Sequence, residues 1–324
     1  MNVVLAVVVA VLIYPGILAA VVATWALGWM RDAARAASRG TGRPGLLSGP
    51  RDLRTTFGRE ALAPEGAAPW LLAFAPVLAT AAPIAALVLL PVPGNPLVGV
   101  LGLTGDLIAE GALLLGMPLM RLLVGWSIAS PYGRLAADRG ARLLAGCALP
   151  MALALVAIAQ LVGTLRLTAA DAPHAGGMQP VAMLARVLAA CAFACCLSVL
   201  ARQTALREGS GELDVVAGEL TELSGRDLGL FRLAEGIQLV AVCGFFVAAF
   251  VLPVLTGVLT ARLSPFAWVV GLVVTAGGVG TWDGLRGGHV SPASDHAPLS
   301  WWFGIPLLLA LFALVLAAWA VRAV

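Results

Sequence analysis

Long apolar runs separated by short polar intervals set the pattern of this chain. The runs fall at about 3–29, 70–90, 97–117, 143–163, 181–201, 228–252, 265–281 and 300–320. Each is near the ~20 residues a helix needs to cross a bilayer, and far longer than a barrel strand. Lipid offers the backbone no hydrogen-bond partner, so runs of this length must be helices. The pattern predicts an all-α, polytopic membrane protein with about eight transmembrane helices, forming one transmembrane domain over residues 1–324. Pro15-Gly16 is expected to kink the first span, and Pro118 to end or bend the third. Residues 119–140, with Trp126, Pro131 and Tyr132, then read as an interfacial segment. The first run lacks a preceding positive region and is too long for a signal peptide, so it is expected to be retained.

One stretch departs from this rhythm. Between Glu208 and Glu235 lie seven acids: Glu208, Glu212, Asp214, Glu219, Glu222, Asp227 and Glu235. Ser210 can cap a helix starting near Glu212, and Gly225 can end it. On a 3.6-residue wheel Leu213, Val216, Leu220 and Leu223 share an arc, with Glu212, Glu219 and Glu222 beside them. The expectation is a short amphipathic loop helix at the membrane surface, followed by a span that carries Asp227 and Glu235 inward.

Composition sharpens the class. Of 324 residues, 60% are hydrophobic and 11% charged, too little polar surface for a soluble domain of this size. All 20 basic residues are Arg. If the loops after spans one, three, five and seven are cytoplasmic, 16 of those 20 Arg lie on that side, leaving Arg166, Arg186, Arg262 and Arg322 outside. This asymmetry fits the positive-inside rule and predicts a prokaryotic cytoplasmic membrane protein with both termini outside. The acidic stretch is then cytoplasmic. Arg39, Arg43, Arg51, Arg134, Arg139 and Arg142 become candidates for docking soluble partners or lipid headgroups. The net charge of +3 is accounted for by topology and does not point to nucleic acid.

Little in the chain resembles a complete active site. There is no Walker loop, dinucleotide fingerprint or Ser/His/Asp arrangement, and His174, His289 and His296 fall in expected loops. The five cysteines, Cys147, Cys191, Cys195, Cys196 and Cys243, sit in apolar segments without metal-ligand spacing, so no metal is expected in this chain. Ionisable residues within spans say more, because the bilayer penalises them. Asp106 and Glu110 stand four apart in the third apolar run, with no basic residue one turn away. They read either as acids bracing neighbouring helices or as proton-exchanging sites. Asp227 and Glu235 invite the same two readings, with Arg226 and Arg232 as available ion-pair partners. Asp106 and Glu110 could also serve a free-standing ion-coupled transporter, although the inverted repeat common in such proteins is not visible.

The run Glu219-Leu-Thr-Glu-Leu-Ser-Gly-Arg-Asp-Leu-Gly-Leu-Phe-Arg-Leu-Ala-Glu235 resembles the acidic-loop motif of the quinone-site membrane subunit, the H subunit, of complex-I-type NADH–quinone oxidoreductases. It is still more similar to the matching subunit of complex-I-related membrane [NiFe] hydrogenases, such as formate hydrogenlyase. Arg39-Gly-Thr-Gly-Arg-Pro-Gly-Leu-Leu-Ser-Gly-Pro-Arg-Asp-Leu53 resembles the first-loop motif of that family. Gly125-Trp126-Ser127, Pro131-Tyr132-Gly133 and Arg139 resemble the segment after its third helix, and Pro150 sits where the family has Glu-x-Pro. The chain departs from the pattern at Ala148, where that Glu is usual, and at Leu223, where Tyr is usual. Its fuller acidic run is reduced to Glu212-Leu-Asp214. The last two departures favour the hydrogenase branch.

The resemblance implies a non-catalytic membrane anchor with no cofactor of its own. A hydrogenase-like large subunit and an iron–sulfur small subunit would dock on its cytoplasmic face and carry the nickel–iron centre and Fe–S clusters. Antiporter-like membrane subunits would lie beside it. The acids Asp106, Glu110, Glu212, Asp214, Glu219, Glu222, Asp227 and Glu235 would be its proton-path candidates. The alternative within the family is a true NADH–quinone oxidoreductase H subunit with a quinone site.

Overall fold

The computed structural model describes residues 3–42, 44–61, 68–92, 94–102, 105–167, 180–201, 220, 223–256, 263–287 and 298–322. Among them the regular elements are helices: α1 (Val3–Leu12), α2 (Ile17–Arg39), α3 (Ser48–Phe57), α4 (Pro69–Leu89), α5 (Pro96–Leu101), α6 (Leu107–Ser127), α7 (Pro131–Val162), α8 (Pro180–Leu200), α9 (Gly225–Phe246), α10 (Leu252–Thr256), α11 (Ser264–Gly287) and α12 (Pro298–Arg322). Eight stretches among the described residues are long and apolar enough to span, with α1 and α2 together making the first. The chain is a multi-pass, all-α membrane protein.

The helices surround α9. In its span, Gly225–Val254, 83% of the apolar window is buried, against 22–50% for the other spans, so α9 is the central element and the rest face lipid on one side. It packs on α2 and α4, and more lightly on α6 and α8; α11 covers α2, and α12 covers α7 and α8. Lipid tails are as apolar as leucine, so helices in a membrane associate through close packing rather than through the hydrophobic effect. The sequence answers with alanine at helical spacing. Ala185, Ala189 and Ala192 on α8 are fully buried, as are Ala310, Ala313 and Ala317 on α12. An aromatic cluster then ties α8 to the end of α9. Phe193 lies 5.4 Å from Phe245 and 5.2 Å from Phe250 between ring centres. Phe250 belongs to a π-helical turn, Val247–Val251, placed just before Pro253, which cannot donate a backbone hydrogen bond.

The third span lies further along the chain than its expected 97–117. Asn95 starts the short α5 instead, accepting from Leu97 N at 3.0 Å and donating to Val88 O and Leu90 O at 2.9 Å each. Gly102 ends α5 at a left-handed φ of 61°. The chain then restarts as α6, with Asp106 as its N-cap accepting from Ile108 N at 3.4 Å. Pro118 neither ends the span nor opens an interfacial segment; it sits inside α6. The fourth helix correspondingly begins at Pro131 rather than near 143.

Gly225, expected to end a helix that lies outside the described residues, begins α9. Its φ is 62°, and a side chain there would meet Arg59 O and Ala61 N at 2.6 and 2.7 Å. Next to it Ser224 Oγ donates to Glu60 O at 2.7 Å, fastening the loop after α3 to the start of α9. The expected amphipathic helix from Glu212 lies outside the described residues. Two of its expected inward leucines, Leu220 and Leu223, are described, and both are buried with Leu72, Met117, Val124 and Phe231.

Candidate functional site

Glu110, Arg121 and Gln238, three of the buried polar side chains among the described residues, lie on α6 and α9. On α6 the buried face runs through Glu110, Leu114, Met117, Arg121 and Gly125, the three- and four-residue spacing of one helix side. On α9, Arg232, Glu235 and Gln238 follow one another at intervals of three and lie on one side of that helix.

Arg121 and Glu235 form the ion pair between the two helices; Arg121 Nη1 donates to Glu235 Oε1. Sequence reasoning misses Arg121 as a site residue, because position 121 falls in the segment that reads as interfacial. A signal is nonetheless present, since it stands eleven residues after Glu110 and so returns to the same face after about three turns. Arg232, a sequence candidate for pairing with Glu235, turns to α3 instead and donates to Thr56 Oγ1 at 2.8 Å. Thr56 in turn donates to Asp52 O at 2.7 Å. Asp227 is half-buried in the first turn of α9.

Glu110 is fully buried, and among the described residues neither carboxyl oxygen has a hydrogen-bond partner. Its side chain lies directly against Gly105, where a Cβ would overlap the Glu110 carboxyl. Gly105 is held in place from two directions: its N–H donates to Leu89 O at 2.9 Å, and its carbonyl accepts from Leu167 N at 3.2 Å. Leu107 N donates to Leu165 O at 2.9 Å, completing an isolated antiparallel bridge between Asp106 and Arg166. Asp106 and Glu110 therefore do not form a pair on one helix face. Asp106 caps the helix from outside its first turn and belongs to a surface strap, whereas Glu110 is sealed beneath that strap.

Gln238, also missed by sequence reasoning, is fully buried between these two levels. Its Nε2 donates to Leu114 O at 2.6 Å and, at 3.4 Å, to Leu200 O at the end of α8. Leu114 O is the carbonyl that a helix would pair with the N–H of residue 118, and residue 118 is proline. A side-chain amide from α9 thus satisfies the acceptor that Pro118 leaves open, the kind of compensation that lets a proline sit inside a membrane helix. The sequence signal is a glutamine in an apolar run together with a proline four residues after an inward position.

From the α3 end, the polar groups follow the order Thr56–Arg232, Glu235–Arg121, Gln238, Glu110. The rise from Arg121 to Glu110 is about 16 Å at 1.5 Å per residue, roughly half a hydrocarbon core of ~30 Å. The arrangement places one ion pair, one buried amide and one buried carboxyl in sequence along the α6–α9 contact. The other candidates are distributed differently. Arg51, Arg134, Arg139 and Arg142 are exposed near the α3 end and the start of α7. Arg39 ends α2, and Arg43 lies outside the described residues. Glu212, Asp214, Glu219 and Glu222 also lie outside them, as do the three histidines. Arg186 is buried within α8, six residues after its start at Pro180. Cys196 Sγ lies 3.5 Å from Ala192 O and 3.7 Å from Cys147 O, an environment of packed backbone. Among the described residues no three His, Cys, Asp or Glu side chains converge as a metal site.

The central ion pair generates a stability prediction. Arg121→Gln leaves Glu235 charged and without its cation in a low-dielectric interior, and should destabilise the protein by about 3–5 kcal/mol. Arg121→Gln with Glu235→Gln removes both charges and should recover most of that loss. Thermal melting of the purified Arg121→Gln and double variants checks this; equal losses in the two would contradict it.

Known proteins share both the sequence and the helical layout. The model of a family described as NADH dehydrogenase matches residues 2–323. The chain is 33% identical over 255 residues to the second form of the NADH-quinone oxidoreductase H subunit of Geobacter sulfurreducens, covering 75% of this chain and 73% of that protein. It is 31% identical over 258 residues to the first form of the H subunit of Geobacter metallireducens, with the same coverage of each chain, 75% and 73%. Among solved structures, a chain of the membrane-bound sulfane sulfur reductase, described as an archaeal respiratory membrane complex, shares the fold at a TM-score of 0.74 and 20% identity. That match covers 93% of this chain and 97% of that one. With nearly its whole length matched and its helices laid out as in that chain, this protein belongs to the NADH dehydrogenase family of complex-I-like membrane subunits, of the H type.

Proposed function

We propose that the protein is the membrane anchor and ion-coupling subunit of a complex-I-related respiratory assembly. The observation that carries this reading is Glu110. A carboxyl with no hydrogen-bond partner among the described residues is buried on the same α6 face as the Arg121–Glu235 pair, in a member of this family. A group so expensive to bury is a functional residue by default in a membrane. The redox chemistry belongs to partner subunits docked near α3 and the start of α7, where Arg51, Arg134, Arg139 and Arg142 are exposed. A charge change there would shift protons between neighbouring carboxyl groups, because coupled sites titrate together. The assembly sits in the cytoplasmic membrane of a prokaryote with both termini of this chain outside, as the Arg asymmetry supports.

The docked module is of the [NiFe]-hydrogenase type, with a hydrogenase-like large subunit, an iron–sulfur small subunit and antiporter-like membrane neighbours. Leu223 in place of Tyr and the shortened Glu212-Leu-Asp214 run support that branch. Fe–S clusters and nickel would be held by the partners. In this chain the Cys196 thiol lies against the carbonyl oxygens of Ala192 and Cys147, and among the described residues no three His, Cys, Asp or Glu side chains converge. A quinone-linked module is the second reading, favoured by the 33% identity to an H subunit of NADH-quinone oxidoreductase. Mild purification followed by mass spectrometry of the accompanying chains separates the two. A large subunit with four metal-binding cysteines supports the hydrogenase type; a quinone-reducing one lacking them supports the second. A protein that purifies alone, free of iron-containing partners, would overturn both.

Glu110→Gln tests the coupling role. It keeps shape and hydrogen-bonding capacity while removing the exchangeable proton. Assembly and electron transfer to redox dyes should persist, and ions moved per electron should fall at least about tenfold, the scale on which losing one proton-transfer group is felt. Unchanged ion movement per electron would make Glu110 a structural residue.

A further inference from the structure

The midpoint of the polar line is Gln238, and its two amide atoms have different surroundings. Nε2 faces two carbonyl oxygens, Leu114 O and Leu200 O, so only the donor end of the amide can occupy that position. Oε1 is then left buried with no partner among the described residues. Leu114 O is open only because Pro118 has no N–H to give it. Two features of the sequence, one on α6 and one on α9, therefore combine to fix one orientation of one side chain. That orientation presents a bare acceptor between Glu235, three residues earlier on α9, and Glu110, four residues before Leu114 on α6. The rises from Glu235 to Gln238 and from Glu110 to Leu114 are about 4.5 Å and 6 Å along their helices. Along the contact the three groups follow one another in the order Glu235, Gln238, Glu110.

We propose that Gln238 is a positioning residue for ion coupling. Its Nε2 clamps α6 at Pro118, and its Oε1 accepts a hydrogen bond from a water that carries protons between Glu235 and Glu110. This deepens the coupling reading above and rests on it. In each transfer the water receives one proton from the Glu235 side and releases one to the Glu110 side. The amide stays neutral, and nothing is oxidised or reduced. The Arg121–Glu235 pair, joined at the same α6–α9 contact, sets the charge at the entrance of this step. Gln238 also touches the end of α8 through Leu200, so the clamp holds three helices in register rather than two.

The clamp and the acceptor can be separated by mutation, because the first has a substitute and the second does not. Gln238→Met keeps length and packing but removes donor and acceptor. Pro118→Ala returns an N–H to position 118, which can close Leu114 O within α6. Both changes, singly and together, are made in the whole membrane complex. The readouts are yield of assembled complex, electron turnover with a redox dye, and ions moved per electron in reconstituted vesicles. Gln238→Met alone should lower assembly. Gln238→Met with Pro118→Ala should restore assembly and dye turnover but leave ions moved per electron at least about tenfold below the parent, the scale of losing a proton-transfer group. Gln238→Glu with Pro118→Ala, which returns an oxygen acceptor to the site, should regain much of that loss.

Recovery of ion movement together with assembly in the Gln238→Met, Pro118→Ala protein would reduce Gln238 to a clamp and overturn the relay role. Failure of Pro118→Ala to rescue assembly would overturn the clamp. So would normal assembly of Gln238→Met alone. An assembled Gln238→Glu, Pro118→Ala complex that moves no ions would contradict the acceptor role. The coupling role of Glu110 fails separately: it is Glu110→Gln, with Gln238 intact, that decides it. Normal ion movement in the Gln238→Met, Pro118→Ala protein alongside its loss in Glu110→Gln would sink only the relay through Gln238.

Discussion

A bilayer interior offers no hydrogen-bond partner, and this molecule is arranged around meeting that constraint at the α6–α9 contact. Backbone groups are met by helices. Where a helix is interrupted, a substitute arrives from elsewhere in the fold: Gln238 for the N–H missing at Pro118, Asn95 for the carbonyls at the end of α4, Asp106 for an open amide at the start of α6. The charge of Arg121 is met by Glu235. Against this background Glu110 stands out, because it is fully buried against Gly105 with neither oxygen satisfied among the described residues. Stability alone would favour an apolar residue in its place. Its presence is the physical reason to assign it chemistry.

The same constraint explains which parts of the fold can be read from the chain. Hydropathy locates spans because lipid punishes exposed polarity over twenty residues at a time. The eight runs, the all-α class and the ends of the second and fifth spans, at Pro69–Leu89 and Pro180–Leu200, correspond closely to their expected positions. Register within the third run is lost when Pro118 is treated as a stop signal. In water that rule is sound; here Gln238 cancels it from another helix, 120 residues away in sequence, and local reasoning has no access to such a partner. The same slip turns Asp106 from a cap into a membrane-face acid, and it puts Arg121 at an interface when it is the cation of the central ion pair. The acidic run from Glu212 to Glu222, the most conspicuous motif in the sequence, lies outside the described residues. The roles of its acids rest on the resemblance and on the buried leucines, Leu220 and Leu223, that anchor its end.

The fold and the site thus supply different parts of the picture. The sequence match over residues 2–323 identifies the family, and the site supports the proposed proton path in a chain that carries Ala148 where the resemblance expects an acid. Glu110 lies on the face of α6 that meets α9, and Gln238 and the Arg121–Glu235 pair continue that face toward α3. A path along these residues would need no acid at position 148. The α3 end is also where the loop after α3 is fastened to the start of α9 through Ser224 and Glu60, so movement in either segment would reach the base of the central helix.

The central claim is that Glu110 exchanges its proton when the assembly turns over. Redox-triggered infrared difference spectroscopy of the whole complex in membranes reads this directly through the carboxyl C=O stretching region. Proton exchange at Glu110 predicts a difference band there on reduction that is absent from the Glu110→Gln complex. A carboxyl region identical in the two complexes throughout turnover would contradict it.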